Sequence, residues 1–435
     1  QKVFDDFKMM HVYGHLRRNE GTFGKTNISK RKTIDTINSV TSYSQLAVNL
    51  PQRIANVSVG QANILIHAAG KGAFNMKDIL WATKQWMEHM GKRLLDTGAS
   101  ETDDKLSLFR ERLDIGQENG KQYKNAQFKR SRLAKVFNLN LLYGGLMVGE
   151  DYLASATALA MARREKVLDG EGKPANLWDA YKVYYKDPVN KTGAYLGIQP
   201  GYTKLDGSAI TIEDEYKFSD KVAATNFELQ GIYNQDDKSA IQSTSLGALI
   251  IMYRKWIAPS LKRRYAGTHY DAMKEEWEEG YWRTTGRFVS DFVKNVVSNG
   301  EGLIASWHVN HDVLTDYEKS NLQKALRESA IILGALVSIG LLENLPPDDD
   351  KDKNKLLSWA EQMSLYQLYR LRNELGSQSV TMPGLMIKEG LNILESPFAA
   401  IEPIRDAING LKLLWPGTYM EEVTRGPYKG HSKAY

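Results

Sequence analysis

The chain has 435 residues, of which 42% are hydrophobic and 25% charged, with a formal net charge of +5. These values match an ordinary globular composition, exclude global disorder, and leave room for roughly two to four domains. No cysteine is present, which excludes disulfides, cysteine nucleophiles, Cys-based zinc sites and iron–sulfur clusters.

The opening QKVFDDFKMM carries acids where a signal peptide has a basic and then an apolar run. His11 and His15 follow at i, i+4 spacing, which puts two imidazoles on one helical face, but no third ligand stands nearby. GTFGKTN (21–27) lacks the first glycine of a phosphate loop and reads as a surface turn. The stretch Ile54–Gly70 is uncharged, and Met76–Gly98 has helical periodicity that sets Ile79, Leu80, Thr83, Trp86, Met87, Met90 and Leu94 on one face. Lys121–Lys135 holds six basic residues, two aromatics and no acid. A nucleic-acid strip, a helix on acidic lipid and a solvated face all fit that pattern. Val136–Gly149 is again uncharged, and its Gly145 and Gly149 permit close helix approach.

Between Leu168 and Thr211 the pattern changes. Turn signals DG, DP and PG surround aromatic runs such as YKVYYK, which predicts a small β-rich insertion. Helix resumes at Thr211, paired with Asp214 in a capping-box-like start. Leu246–Gly267 then runs from apolar residues into Arg254, Lys255, Lys262, Arg263 and Arg264 with no acid. These five are the first candidates for contact with an anionic partner, and Lys129, Arg130 and Arg132 the second. The acidic DAMKEEWEEG (271–280) could neutralise them within a helical hairpin. His308 and His311 form a second histidine pair beside Asp312. Ser320 is a plausible cap for a helix that stops at Pro346–Pro347, and PPDDDKDKNK (346–355) reads as a solvated linker. A last amphipathic pattern covers Ser396–Gly417.

Four long uncharged segments stand out: Ile54–Gly70, Val136–Gly149, Ser239–Tyr253 and Ser329–Leu342. None reaches the roughly 20 residues of a membrane span. Buried helices of a tight bundle explain them. So does a soluble helical protein that later turns these segments toward lipid, with basic flanks holding it at an anionic surface. The expected fold is mainly α, an elongated or modular multi-helix bundle with one small β-rich insertion. The expected divisions are a helical module at 1–167, the insertion at 168–211, a helical module at 212–345, the linker at 346–355 and a helical module at 356–435. Gln1 in first place and the ending GPYKGHSKAY suggest a piece of a longer chain. No catalytic, cofactor-binding or metal-binding residue is assigned, and GxSxG does not occur.

ELQGIYNQDDKSAIQSTSLGALIIMYRKWIAPSLKRRYAG (228–267) resembles a segment of the very large virion proteins of crAss-like bacteriophages. The similar progression is a G-x-Y turn, a polar stretch, an apolar helix, then Arg254, Lys255, Trp256, Pro259, Arg263 and Arg264. RGPYKGHSKAY (425–435) resembles the ending of a helical module in those proteins, and Asn49–Ala82 another helical portion. Together the three stretches make up about one fifth of the chain. The resemblance implies a non-enzymatic cargo protein, stored in several copies in the capsid or portal lumen and ejected into the host envelope or cytoplasm with the genome. Its implied partners are portal and capsid proteins, genomic DNA and, after ejection, the host inner membrane. Two rivals remain at this point: a module of a virion-packaged polymerase or nuclease polyprotein, with Asp103–Asp104 or Asp348–Asp350 as magnesium-binding acids, and a purely structural capsid scaffold.

Overall fold

The computed structural model describes residues 50–95, 104–115, 139–190, 192–230, 257–298, 302–344 and 355–385. In chain order the elements are α1 (Leu50–Ala69), α2 (Met76–Leu95), α3 (Lys105–Arg112), α4 (Leu139–Arg164), β1 (Lys166–Leu168), β2 (Pro174–Asn176), α5 (Leu177–Ala180), β3 (Tyr181–Asp187), β4 (Thr192–Ile198) and α6 (Ile212–Gln230). They continue with α7 (Ile257–Tyr265), β5 (His269–Asp271), β6 (Glu276–Glu278), α8 (Tyr281–Ser298), α9 (Leu303–Asp312), α10 (Asp316–Glu343) and α11 (Lys355–Gly376). The chain is mainly α, and the described residues add three two-stranded antiparallel sheets.

α1 is the spine. Its Ile64 and Ala68 enter a large core with Phe74, Ile79, Phe109, Leu159, Trp178 and Val222. Its Ala62 and Ile66 enter a second core with Tyr281, Ala325, Ile332 and Leu375. A helix buried on two sides needs apolar residues around most of its circumference, which is why Ile54–Gly70 carries no charge. α2 and α4 lie on one side of α1, and α10 and α11 on the other. Helices from all three expected helical modules therefore meet on this one element.

Small residues set how closely the helices approach. A Cβ at Gly149 would lie 2.3 Å from the Val57 side chain, and one at Gly60 would lie 2.4 Å from Leu153. Gly149, the second glycine of the Gly145/Gly149 pattern, thus marks a real crossing, of α4 over α1. At the end of α1, Gly70 leaves space for Ser320 and Lys324 of α10. On the far side, Arg112 of α3 holds Glu215 of α6 through two nitrogens, at 2.9 and 2.5 Å. Tyr181 of β3 donates to the same carboxylate at 2.8 Å, so the insertion is fixed to the helical core.

The expected insertion at 168–211 contains β2, β3 and β4, while β1 starts just ahead of its boundary at Lys166 and pairs with β2; β3 and β4 pair from Tyr181↔Ile198 to Asp187↔Thr192. The third sheet lies outside it. The acidic run 271–280 is an arm of the β5–β6 hairpin, not of a helical one. Its outward residues Tyr270 and Trp277 are strong strand formers, and their rings meet edge-on at 5.6 Å. Asp271 accepts the main-chain N–H groups of Met273 and Lys274 and so closes the turn.

Two helix readings need correction. α2 turns Leu80 and Met87 to solvent and buries Ile79, Ala82 and His89, because its partners α1 and α4 lie on one side only. α10 begins at Asp316, not after Ser320. Thr315 and Glu318 form a full capping box, which satisfies two of the free N–H groups at once and outcompetes a lone serine. The Thr211–Asp214 start of α6 is present as expected, with Thr211 and Asp214 bonded in both directions.

The hairpin rejoins the bundle at Gly280, whose N–H donates to the Ala266 carbonyl at 2.9 Å. A Cβ there would lie 2.4 Å from the Tyr265 nitrogen and 2.5 Å from the Arg264 carbonyl. These are backbone atoms and cannot step aside. Gly280→Ala is expected to cost about 1–3 kcal/mol of stability by overpacking, read as a lowered midpoint in urea unfolding, while Gly286→Ala, which meets open space, leaves the midpoint unchanged or raised.

Candidate functional site

Arg254, Lys255, Lys129, Arg130 and Arg132 lie outside the described residues. The other three candidates sit on α7 and have different fates. Lys262 is half exposed, 3.5 Å from Asp271. Arg263 donates to the Glu228 carbonyl at 2.6 Å and to Asn63 Oδ1 at 2.5 Å. It thus caps the C-terminal end of α6, where free carbonyls and the helix dipole favour a cation. Arg264 has no exposed surface, and its guanidinium lies 2.8 Å from Glu328, also fully enclosed. Arg263 and Arg264 are therefore corrected from external contacts to internal ties. Each is matched from inside, by a helix end in one case and by a carboxylate of α10 in the other.

Glu328 gathers further donors. Tyr281 gives its hydroxyl proton to one oxygen, and Trp282 Nε1 donates to the other at 3.0 Å. A buried carboxylate is tolerated only with such a complete set of partners. Burial pushes the Tyr281 phenol up, and the Glu328 charge adds to this against the pull of Arg264, so Tyr281 stays a proton donor.

Beside this pair lies a second charged cluster. Lys274 of the hairpin turn is bonded to Glu228 and, at 2.6 Å, to Glu278. Burial opposes the charge on Lys274, yet the two carboxylates raise its affinity for the proton overall. Burial likewise opposes ionisation of Glu228, and Lys274, His67 and Lys324 outweigh it and hold the carboxyl well below its usual range. His67 of α1 is buried against the ring of Phe74, 5.1 Å away. Burial lowers its pKa to about 3, with Lys324, Lys274 and Arg263 adding to the fall and Glu228 opposing it.

The opposite face of α10 is apolar and open. Leu326, Leu333, Val337 and Leu341 are 68%, 54%, 63% and 67% exposed. With Ala330 they recur at steps of four, three, four and four, which is a single helical stripe. α10 is long and apolar enough to cross a membrane by length and composition, the single case among the described helices, and little more than a quarter of its apolar window is buried. The uncharged stretch Ser329–Leu342 is shorter than this window, which tolerates flanking charge. At its start the stripe runs into a cleft of about 700 Å³ between α10 and the α1–α2 turn. Ala68, Met76, Leu326 and Ala330 line its apolar part, and Lys71, Lys77 and Arg327 supply cations. No carboxylate lines it among the described residues.

The remaining sequence candidates divide simply. His11, His15, Asp103 and Asp348–Asp350 lie outside the described residues. Asp104 caps α3 and accepts from Leu106 and Ser107, with His89 at 2.7 Å. His311 stacks on Trp307 and stands 3.7 Å from Asp312. The cations of the cleft escaped sequence reading because Lys71, Lys77 and Arg327 come from separated stretches and join no basic run. The stripe was readable: its spacing follows once Thr315 is taken as the helix start.

No protein-family model, no curated protein and no solved structure matches this chain.

The buried state of His67 has a pH consequence. The folded protein keeps it neutral down to about pH 3, whereas the unfolded chain takes up the proton below its ordinary value of 6.5. The unfolded state then binds more protons, so stability is whole above pH 6.5 and falls as pH drops, by up to about 1.4 kcal/mol per pH unit. Urea unfolding at pH 7.0 and 5.5 should show this loss in the native chain and a smaller one in His67→Gln. Glu228 does not interfere, because its own contribution is lost only as pH falls below 4.5.

Proposed function

We propose that this chain is a helical module of a non-enzymatic bacteriophage virion cargo protein, stored with the genome in the capsid or portal lumen and delivered to the host envelope. The observation that carries the reading is the two-sidedness of α10. One face is tied to the bundle by a buried charge, and the other presents a continuous apolar stripe that ends in a cation-rimmed cleft.

In storage the stripe is covered by neighbouring copies or by portal and capsid surface, and the basic residues face genomic DNA or acidic protein. After ejection the stripe is covered by lipid instead. Burying a leucine or valine fully stabilises by about 1.5–3 kcal/mol, so four half-exposed ones offer several kcal/mol. Each cation near an anionic leaflet adds about 1 kcal/mol. Lys71, Lys77 and Arg327 stand where headgroup phosphates meet the end of the stripe. That sum gives attachment that is firm yet reversible, as for an interfacial amphipathic helix.

Vesicle co-sedimentation tests the lipid step. The purified chain should bind vesicles of anionic phospholipid at low salt, bind zwitterionic vesicles weakly, and release dye from the anionic ones. Leu333→Glu with Val337→Glu, both at exposed positions, should cut binding at least about tenfold, the expected result of placing charge where lipid sits. Equal binding by that variant, or no binding by the native chain, contradicts the lipid step. Absence of the chain from purified virions contradicts the cargo role.

A further inference from the structure

We propose that the inner face of the β5–β6 hairpin binds one divalent transition-metal ion through His269, Asp271 and Glu278. Register brings these residues together. His269 pairs with Glu278 across the ladder, and Asp271 pairs with Glu276. Residues two apart on a strand share a face, so His269, Asp271 and Glu278 point the same way, opposite Tyr270 and Trp277. One ligand atom from each of the three lies within 4.8 Å of the other two. Small side-chain adjustments bring all three to the roughly 2.0–2.2 Å bonds of such an ion.

The surroundings are arranged as a metal site requires. His269 Nδ1 lies 2.9 Å from the Gly267 carbonyl, so the ring donates there and its tautomer is set. Nε2 is then the nitrogen with a free lone pair, and it is enclosed without any hydrogen-bond partner. An imidazole held by a backbone carbonyl through one nitrogen and free at the other is the usual form of a metal-bound histidine. The Asp271 carboxylate is oriented by the N–H groups of Met273 and Lys274, at 3.0 and 3.2 Å. Lys262, its other neighbour at 3.5 Å, is half exposed and free to swing into solvent. Lys274 takes one oxygen of Glu278, and an ionised carboxylate has lone pairs for a further partner.

The donor set identifies the class of ion. One imidazole with two carboxylates and no sulfur suits zinc and its first-row neighbours better than magnesium or calcium, which prefer oxygen alone, or copper(I), which prefers sulfur. The ion would clip β5 to β6 beside the Lys274–Glu228 pair and so stiffen the outer wall of the charged cluster. This inference stands apart from the proposed delivery role.

Isothermal titration of the untagged, metal-stripped full chain with zinc chloride tests it. One ion should bind per chain, and zinc should raise the thermal midpoint. His269→Gln, Asp271→Asn and Glu278→Gln should each weaken binding by about tenfold or more. His308→Gln with His311→Gln should leave it intact. Circular dichroism identifies any variant that fails to fold, and Asp271→Asn, which keeps the oxygen that closes the turn, retains the test in that case. A native chain that binds no zinc overturns the site. So does binding undiminished in the folded ligand variants, or lost in the His308/His311 double variant.

Discussion

A guanidinium and a carboxylate without access to water lie where α7, α8 and α10 meet. Moving two such charges out of water costs several kcal/mol each, and their attraction offsets this only when the geometry is good and the other polar atoms are engaged. Here the Tyr281 hydroxyl and Trp282 indole serve Glu328, and the Ser260 carbonyl accepts from one Arg264 nitrogen, while Arg264 Nε is buried without a hydrogen-bond partner. If any of the three helices moved away, a charge would remain buried and unmatched. The pair therefore fixes these helices as one unit and selects the face of α10 that points inward.

The rest follows from that choice. With Glu328 inward, Ile332, Ala335 and Ile339 follow it into or along the core, and Leu326, Leu333, Val337 and Leu341 lie outward. Gly280 lets the hairpin pass against the end of α7, and Glu279 beside it joins the start of α8 to α10. Its carboxylate accepts from Thr284, and its carbonyl from Tyr317 and Asn321. The same interaction that makes the bundle definite leaves an apolar stripe uncovered, and the proposed delivery role gives that stripe something to cover it.

How much of this the sequence reveals depends on the range of the interaction. Local signals are legible: the uncharged run of α1, the Thr211 start of α6, the turns around β1–β4 and the small residues of α4. Long-range pairing is not. Arg263 and Arg264 look like an exposed basic strip because their partners, the Glu228 carbonyl and the Glu328 carboxylate, lie 35 and 64 positions away. The hairpin at 269–278 was hidden by its density of acids, although Tyr270 and Trp277 in alternation carry the strand signal. His269 drew no notice because its fellow ligands become neighbours only through strand register.

A double-mutant cycle on Arg264 and Glu328 tests the central claim most directly, with unfolding free energies for Arg264→Met, Glu328→Leu and the pair. Each single change should lose about 3–5 kcal/mol, since it leaves one charge buried alone, and the double variant should recover much of that loss, a coupling of about 2 kcal/mol or more. Losses that simply add would mean that the two groups are independent, and that something other than this pair sets the inward face of α10.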